Sequence, residues 1–232
     1  MPDTPYRLLL CDADNTLFDF SAAEKAALYD ALASCGLPVS PETAKVYSEI
    51  NLALWKAFER GEITQGMLRI ERFRRLLGRF PAVPFSAEEV GLRFTDSLGQ
   101  YAFLMDGALA FVQAVHARMP IALVTNGIAE VQRGRLGRSV IAPYIDCAVI
   151  SGEIGSSKPD PEMLYIAMER AGVKDKSQVI LLGDSLTADI EAARRAGIAS
   201  IHLCGPGGKQ TDSPADFQAE TLEEARRIIL ND

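Results

Sequence analysis

From Gly107 onwards, short apolar runs alternate with stretches of helical length, and this alternation constrains the fold more than any other property of the chain. A helix at 108–118 leads to a strand at 120–125, a helix at 128–137 to a strand at 145–150, and a helix at 160–172 to a strand at 178–183. A helix at 186–196 then leads to a strand at 199–203, and a last helix covers about 220–230. Strands separated by helices of about 10–15 residues predict right-handed crossovers and an α/β fold with a doubly wound parallel sheet. The earliest apolar run, Leu8-Leu9-Leu10 within a strand at about 6–12, must join that sheet, because a lone strand leaves its backbone groups unpaired.

Between about 21 and 101 the pattern is helical throughout. Ser21-x-x-Glu24 and Ser86-x-x-Glu89 read as capping boxes. Tyr47, Ile50, Leu54 and Phe58 recur at helical spacing, as do Met67, Ile70, Phe73, Leu76 and Leu77. Gly36-Leu37-Pro38, Gly61 and the stretch from Pro81 to Pro84 punctuate the block. The expected organisation is a core of residues 1–18 and 102–232 with an α-helical insertion, 19–101, after the first strand. The basic series Arg69, Arg72, Arg74, Arg75 and Arg79 reads as a solvated helix face, and Trp55 as a packing residue before a stacking one.

A chain of 232 residues with 48% hydrophobic and 24% charged residues is long enough to bury a sizeable core. Its net charge of −7 disfavours binding to nucleic acid polymers or anionic membranes, so any attraction for a small anion must be local. No run approaches the ~18 apolar residues of a membrane span, and no signal peptide is evident, so a cytoplasmic location is expected. Cys11, Cys35, Cys147 and Cys204 are scattered and the histidines are two, His116 and His202; reduced cysteines are expected, and no zinc site.

The chemistry-bearing residues cluster at the ends of the apolar runs. Asp12, Asp14 and Thr16 follow the first strand, and two carboxylates at i and i+2 there reach into the crevice where open α/β sheets bind ligands. Such a pair suits metal binding, nucleophilic attack and proton transfer; an Asx-rich turn is the plainer alternative. Further on come Val124-Thr125-Asn126-Gly127, then Ser157-Lys158-Pro159-Asp160-Pro161, then Gly183-Asp184-Ser185-Leu186-Thr187-Ala188-Asp189 after the run Val179-Ile180-Leu181-Leu182.

In content, order and spacing these four segments resemble the motifs of the haloacid-dehalogenase-like hydrolase superfamily, over nearly the whole chain. Asp12-Ala13-Asp14-Asn15-Thr16-Leu17-Phe18 resembles most the subgroup of pyrimidine 5′-nucleotidases with an α-helical cap, although Asn15 stands where many members have Gly. The resemblance implies a Rossmann-like core, with residues 19–101 as the cap. It implies Asp12 as nucleophile, Asp14 as general acid and base, and Lys158 as catalytic cation. Thr125, the backbone of Asn126, and Lys158 would hold the phosphate. Mg²⁺ would lie on Asp12, the backbone carbonyl of Asp14, and Asp184, with Thr16 and Asp189 in supporting positions. In the cap, the turn Arg60-Gly61-Glu62 and Trp55 are the candidates for specificity.

The resulting expectation is a Mg²⁺-dependent phosphomonoesterase working through an aspartyl-phosphate, with a pyrimidine nucleoside 5′-monophosphate as substrate. The alternatives are a sugar-phosphate or phosphoglycolate phosphatase, a phosphomutase, and a non-catalytic binding module. A 2-haloacid dehalogenase is a further one, disfavoured because that family lacks the second acid.

Overall fold

The computed structural model describes residues 4–80 and 84–232. Of the punctuation expected from Pro81 to Pro84, all but Pro84 lies outside the described residues. The six strands are β1 (Leu8–Cys11), β2 (Ile121–Thr125), β3 (Cys147–Ile150), β4 (Val179–Gly183), β5 (Ala199–Leu203) and β6 (Phe217–Ala219). They form one parallel sheet of order β3-β2-β1-β4-β5-β6. The chain leaves β1 for β2 and β3 on one side, then returns to β4, β5 and β6 on the other. Leu10 lies beside both Ala122 of β2 and Leu181 of β4, so β1 is central.

Helices cover both faces, which is why the strands read as continuous apolar runs. Leu9, Leu123, Ile180 and Ile201 point to one face, packing on α5 (Ala108–His116) and α10 (Leu222–Leu230) through Phe111, Val115, Ala225 and Ile229. Leu8, Leu10, Val124 and Leu181 point to the other, packing on α8 (Glu162–Ala171) and α9 (Glu191–Ala196) through Met163, Leu164, Ala192 and Ala196. The doubly wound architecture is as expected from the alternation.

Between β1 and α5 come α1 (Phe20–Ser34), α2 (Pro41–Glu59), α3 (Gln65–Leu77) and α4 (Ala87–Leu98). They share a separate apolar cluster including Ala27, Leu28, Tyr47, Phe73 and Phe94, whose three rings lie with centroids 5.5, 5.5 and 5.3 Å apart. Val131 of α6 (Ala129–Arg138) also packs there, tying the four helices to the sheet layer. α7 is one short turn, Ser151–Ile154.

Several local expectations are corrected. The capping box at Ser86 and Glu89 forms, but that at Ser21 and Glu24 does not. Asp19 caps α1 by accepting from the Ala22 N–H, Ser21 donates to Asn15, and Glu24 is buried under α2 with Asn51. Met67 is exposed and Leu68 fills the core position instead. Arg72 is not on a solvated face: it is 2% exposed, with its guanidinium 4.5 Å from the Phe94 ring centroid. Asn51 joins it to Glu24, accepting from Arg72 at 3.5 Å and donating to Glu24 at 2.5 Å. The helix expected at 160–172 starts at Glu162, and Lys158 sits on the loop before it, as its place ahead of Pro159 implies. The helix expected at 186–196 opens with a π-helical turn, Leu186–Ile190, before α9. β6 was not expected, since three residues carry no measurable period.

Candidate active site

Asp12, Thr125 and Asp184 stand at the carboxyl ends of β1, β2 and β4, beside the central strand. Order reversal around β1 opens a crevice there between the loops, the position at which open α/β sheets accept ligands. A cleft of about 180 Å³ is lined there by Asp12, Asp14, Thr125, Asn126, Lys158, Asp184 and Asp189. A larger hollow of about 540 Å³ on the far side of Asn15 and Asp184 contains neither Asp12 nor Lys158.

Lys158 is the centre of the cluster. Its ammonium, 1% exposed, donates at 2.6 Å to each of Asp12 Oδ1, Asp189 Oδ1 and the Val124 carbonyl. Burial alone pushes its pKa down, but the Asp12 and Asp189 carboxylates more than offset this and hold it well above its ordinary value. The loop that carries it is fastened to the loop after β2: Asn126 donates to the Lys158 carbonyl at 2.7 Å and accepts from the Lys158 N–H at 2.8 Å. Thus the Asn126 side chain is a clasp, and neither it nor Thr125 caps α6, whose capping position is Ile128.

Asp189 owes its position to Gly183. A Cβ on Gly183 would lie 2.4 Å from the Asp189 Cγ and Oδ2, so only glycine lets that carboxylate lie against β4. The π-helical turn and the bond from the Ser185 N–H at 3.0 Å complete its placement. Asn15 adopts φ +60°, the left-handed geometry that asparagine tolerates. Thr16 is fully buried, and its hydroxyl has no hydrogen-bond partner among the described residues.

Carboxylate oxygens of Asp12, Asp184 and Asp189 lie within 4.8 Å of one another. Burial, above all, and the neighbouring carboxylates raise Asp12 to about 7 and Asp184 to about 8, although Lys158 opposes the shift at both. The Asp184 carboxylate takes no hydrogen bond from any described residue. Three acids against one lysine leave negative charge unmatched, and hard oxygen donors with this spacing fit a divalent cation such as Mg²⁺.

Asp14 has partners that sequence reasoning missed. Gln132 Nε2 donates to its Oδ2 at 2.7 Å, and Arg135 donates through Nη1 to its Oδ1. Both come from α6, with Gln132 3% and Arg135 0% exposed. The only signal in the sequence was two polar residues at i and i+3 on a helix rich in arginine, which reads equally well as surface.

Of the cap candidates, Trp55 lines the cleft with Phe20 and Glu59, while Arg60, Gly61 and Glu62 do not. Arg60 and Glu62 pair with each other in solvent at 2.6 Å, and Gly61 borders a separate hollow beside Ser151 and Ser157. Two bonds cross from α2 and α3 to the sheet side: Thr187 donates to Glu59 at 2.9 Å, and Gln65 to the Gly127 carbonyl at 3.0 Å.

The family model described as haloacid dehalogenase-like hydrolase matches residues 9–203. The chain is 30% identical to the pyrimidine 5′-nucleotidase YjjG of Escherichia coli, covering 94% of this chain and 95% of YjjG. It is 35% identical to the pyrimidine 5′-nucleotidase PynA of Streptococcus pneumoniae, covering 84% and 83%. The magnesium-bound crystal structure of YfnB from Bacillus subtilis superposes with a TM-score of 0.89 at 28% identity, over 97% of this chain and 98% of that one.

Proposed function

The chain belongs to the haloacid dehalogenase-like hydrolase family, and from that premise we propose that it is a Mg²⁺-dependent phosphomonoesterase acting on pyrimidine nucleoside 5′-monophosphates. The observation that carries the reading is the buried Lys158, bonded to Asp12 and Asp189 at the mouth of the central strands with Asp184 alongside. Residues 1–18 and 102–232 are assigned as the catalytic core and 19–101 as the cap.

Phosphate monoesters hydrolyse so slowly unaided that enzymes accelerate them by up to ~10²¹-fold, chiefly by positioning and charge stabilisation. In the first step a carboxylate oxygen of Asp12 attacks phosphorus, the P–O ester bond breaks, and the leaving oxygen takes a proton from Asp14. In the second, water attacks the aspartyl-phosphate while giving a proton back to Asp14; inorganic phosphate leaves and Asp12 is a carboxylate again. The Thr125 hydroxyl and the Asn126 backbone N–H hold phosphate oxygens, and Lys158 keeps Asp12 aimed and adds positive charge. Asp189 in turn holds Lys158. Asp12, Asp184 and the Asp14 backbone carbonyl would hold Mg²⁺, which supplies charge that lessens the repulsion between phosphate and carboxylate.

The aromatic lining of the cleft supports a nucleotide. Trp55 and Phe20 line it together with Asp12 and Lys158, and aromatic side chains are stacking partners for a nucleobase. The test is phosphate release from a panel of nucleoside monophosphates and sugar phosphates, with Mg²⁺ and with chelator. Metal-dependent release highest with UMP, dUMP or dTMP is expected. Release highest with small sugar or acid phosphates would overturn the substrate, and no release at all would overturn the reaction.

A further inference from the structure

The Asp14 side chain stands on a loop, with two rotatable bonds and 23% of its surface exposed, yet it must lie within hydrogen-bond reach of the ester oxygen to exchange a proton with it. Loose placement of such a group is costly, because small misalignments of reacting atoms lower rates steeply. Here α6 grips both carboxylate oxygens: Arg135 donates to Oδ1 and Gln132 to Oδ2.

The grip is itself built. Arg135 donates through Nε to the Tyr101 carbonyl at 3.1 Å, and its guanidinium lies 4.7 Å from the Phe18 ring centroid and 5.6 Å from that of Phe20. It therefore touches the chain where it leaves the sheet for the helical unit and where it returns. Gln132 fills space that only glycine leaves at position 127, where a Cβ would lie 2.6 Å from its Nε2 and 2.7 Å from its Cγ. The same amide nitrogen lies 3.3 Å from the Thr125 hydroxyl. A fully buried guanidinium is costly unless paired, and its pairing is with Asp14.

We propose that Arg135 and Gln132 are positioning residues that hold the Asp14 carboxylate in the orientation from which it exchanges a proton with the ester oxygen. This rests on the phosphatase reading above, in which Asp14 is the acid and base. The grip matters most when the leaving oxygen is a poor leaving group and needs its proton as the P–O bond breaks.

The experiment compares Gln132→Leu and Arg135→Lys with the unaltered protein on two substrates. One is the best alkyl phosphate, UMP on the present reading; the other is p-nitrophenyl phosphate, whose leaving group departs without a proton. For the alkyl ester, kcat/KM, which covers the steps up to ester cleavage and leaves out the water attack common to both substrates, is expected to fall by ~10²-fold or more, while that of the aryl ester falls less than about tenfold. Thermal midpoints are read alongside; if Arg135→Lys does not fold, Gln132→Leu decides alone. Equal losses of kcat/KM with both esters would overturn the proposal, since a merely structural role slows both cleavages alike. A rise in KM of the same size for both esters, with kcat unchanged, would overturn it too, by placing Gln132 in phosphate binding through Thr125. An unaltered protein inert to both esters would overturn the phosphatase reading, and this proposal with it.

Discussion

Lys158 shows how much of the site depends on one buried charge. Without its ammonium, Asp12 and Asp189 would face each other unpaired in a site almost closed to water. Removing one partner of a buried ion pair costs about 3–5 kcal/mol. Lys158→Met is therefore expected to lower stability by that order in metal-free buffer, measured by urea unfolding, and to reduce phosphate release by ~10²-fold or more. A further buried acid, Glu24, lies outside the cleft but near enough to Asp14 to feel its charge. Burial raises Glu24 from an ordinary 4.5 to about 7, against the opposing pull of Arg72. The folded protein thus keeps a proton that the unfolded chain releases, so this group's contribution to stability falls as pH rises from about 4.5 to about 7. The full effect is on the order of 3 kcal/mol. Glu24→Gln is expected to stand higher relative to the unaltered protein at pH 8 than at pH 5, as read from urea midpoints. An equal difference at both pH values would rule that out.

At the scale of elements, the decisive pieces are short. The end of β4 and the π-helical turn form one device, in which Gly183 leaves room for Asp189 and Asp189 then aims Lys158. Gly183→Ala is expected to push Asp189 off β4, costing about 1–3 kcal/mol from overpacking. Its kcat is expected to fall far more than that stability loss explains; a calorimetric midpoint and steady-state rates check both, and an alanine variant with undiminished kcat would sink the account. Neither consequence is legible from the motif, which reads as a strand followed by a turn. The end of α2 is a second device: Glu59 reaches Thr187 across the cleft, so the helix carrying Trp55 is fixed against the loop that carries Asp184. In α3, the arginine series splits, with Arg74 and Arg75 paired to Glu71 in solvent and Arg72 turned inwards against Phe73 and Phe94. A helix repeats every 3.6 residues, so neighbours in a basic run cannot all share a face.

For the molecule as a whole, the arrangement of charge matters more than its sum. The net charge is −7, and burial and mutual repulsion raise the pKa values of the acids at the ends of β1 and β4. A cation bound only by the folded protein stabilises it by mass action, about 2.7 kcal/mol at a concentration of 100 Kd. Mg²⁺ is therefore expected to raise the unfolding midpoint, and Asp184→Asn to abolish that increment; a variant that retained it would show that the ion binds elsewhere. The four cysteines are free, and no helix among the described residues is long and apolar enough to cross a membrane.

The sequence by itself determined five of the sheet's six strands, its doubly wound class and the strand ends at which chemistry collects. Those features are local: each strand is a continuous apolar run, and Asp12, Thr125 and Asp184 follow within a residue of its end or form it. Only the tertiary structure decided which side chains meet. Arg135 reaches Asp14 across 121 residues and Arg72 reaches Asn51 across 21; Arg72 reads as a surface charge in a one-dimensional pattern, and nothing local to Arg135 points to its partner. Ser21 fits a capping pattern, yet Asp19 takes the cap because the chain turns earlier, as it leaves the site. β6 exists because β5 offers it an unpaired edge, not because Phe217–Ala219 has a strand's period. Trp55 lines the cleft because α2 is anchored at Glu59 to a loop of the sheet, a contact between residues 128 apart that no local rule contains.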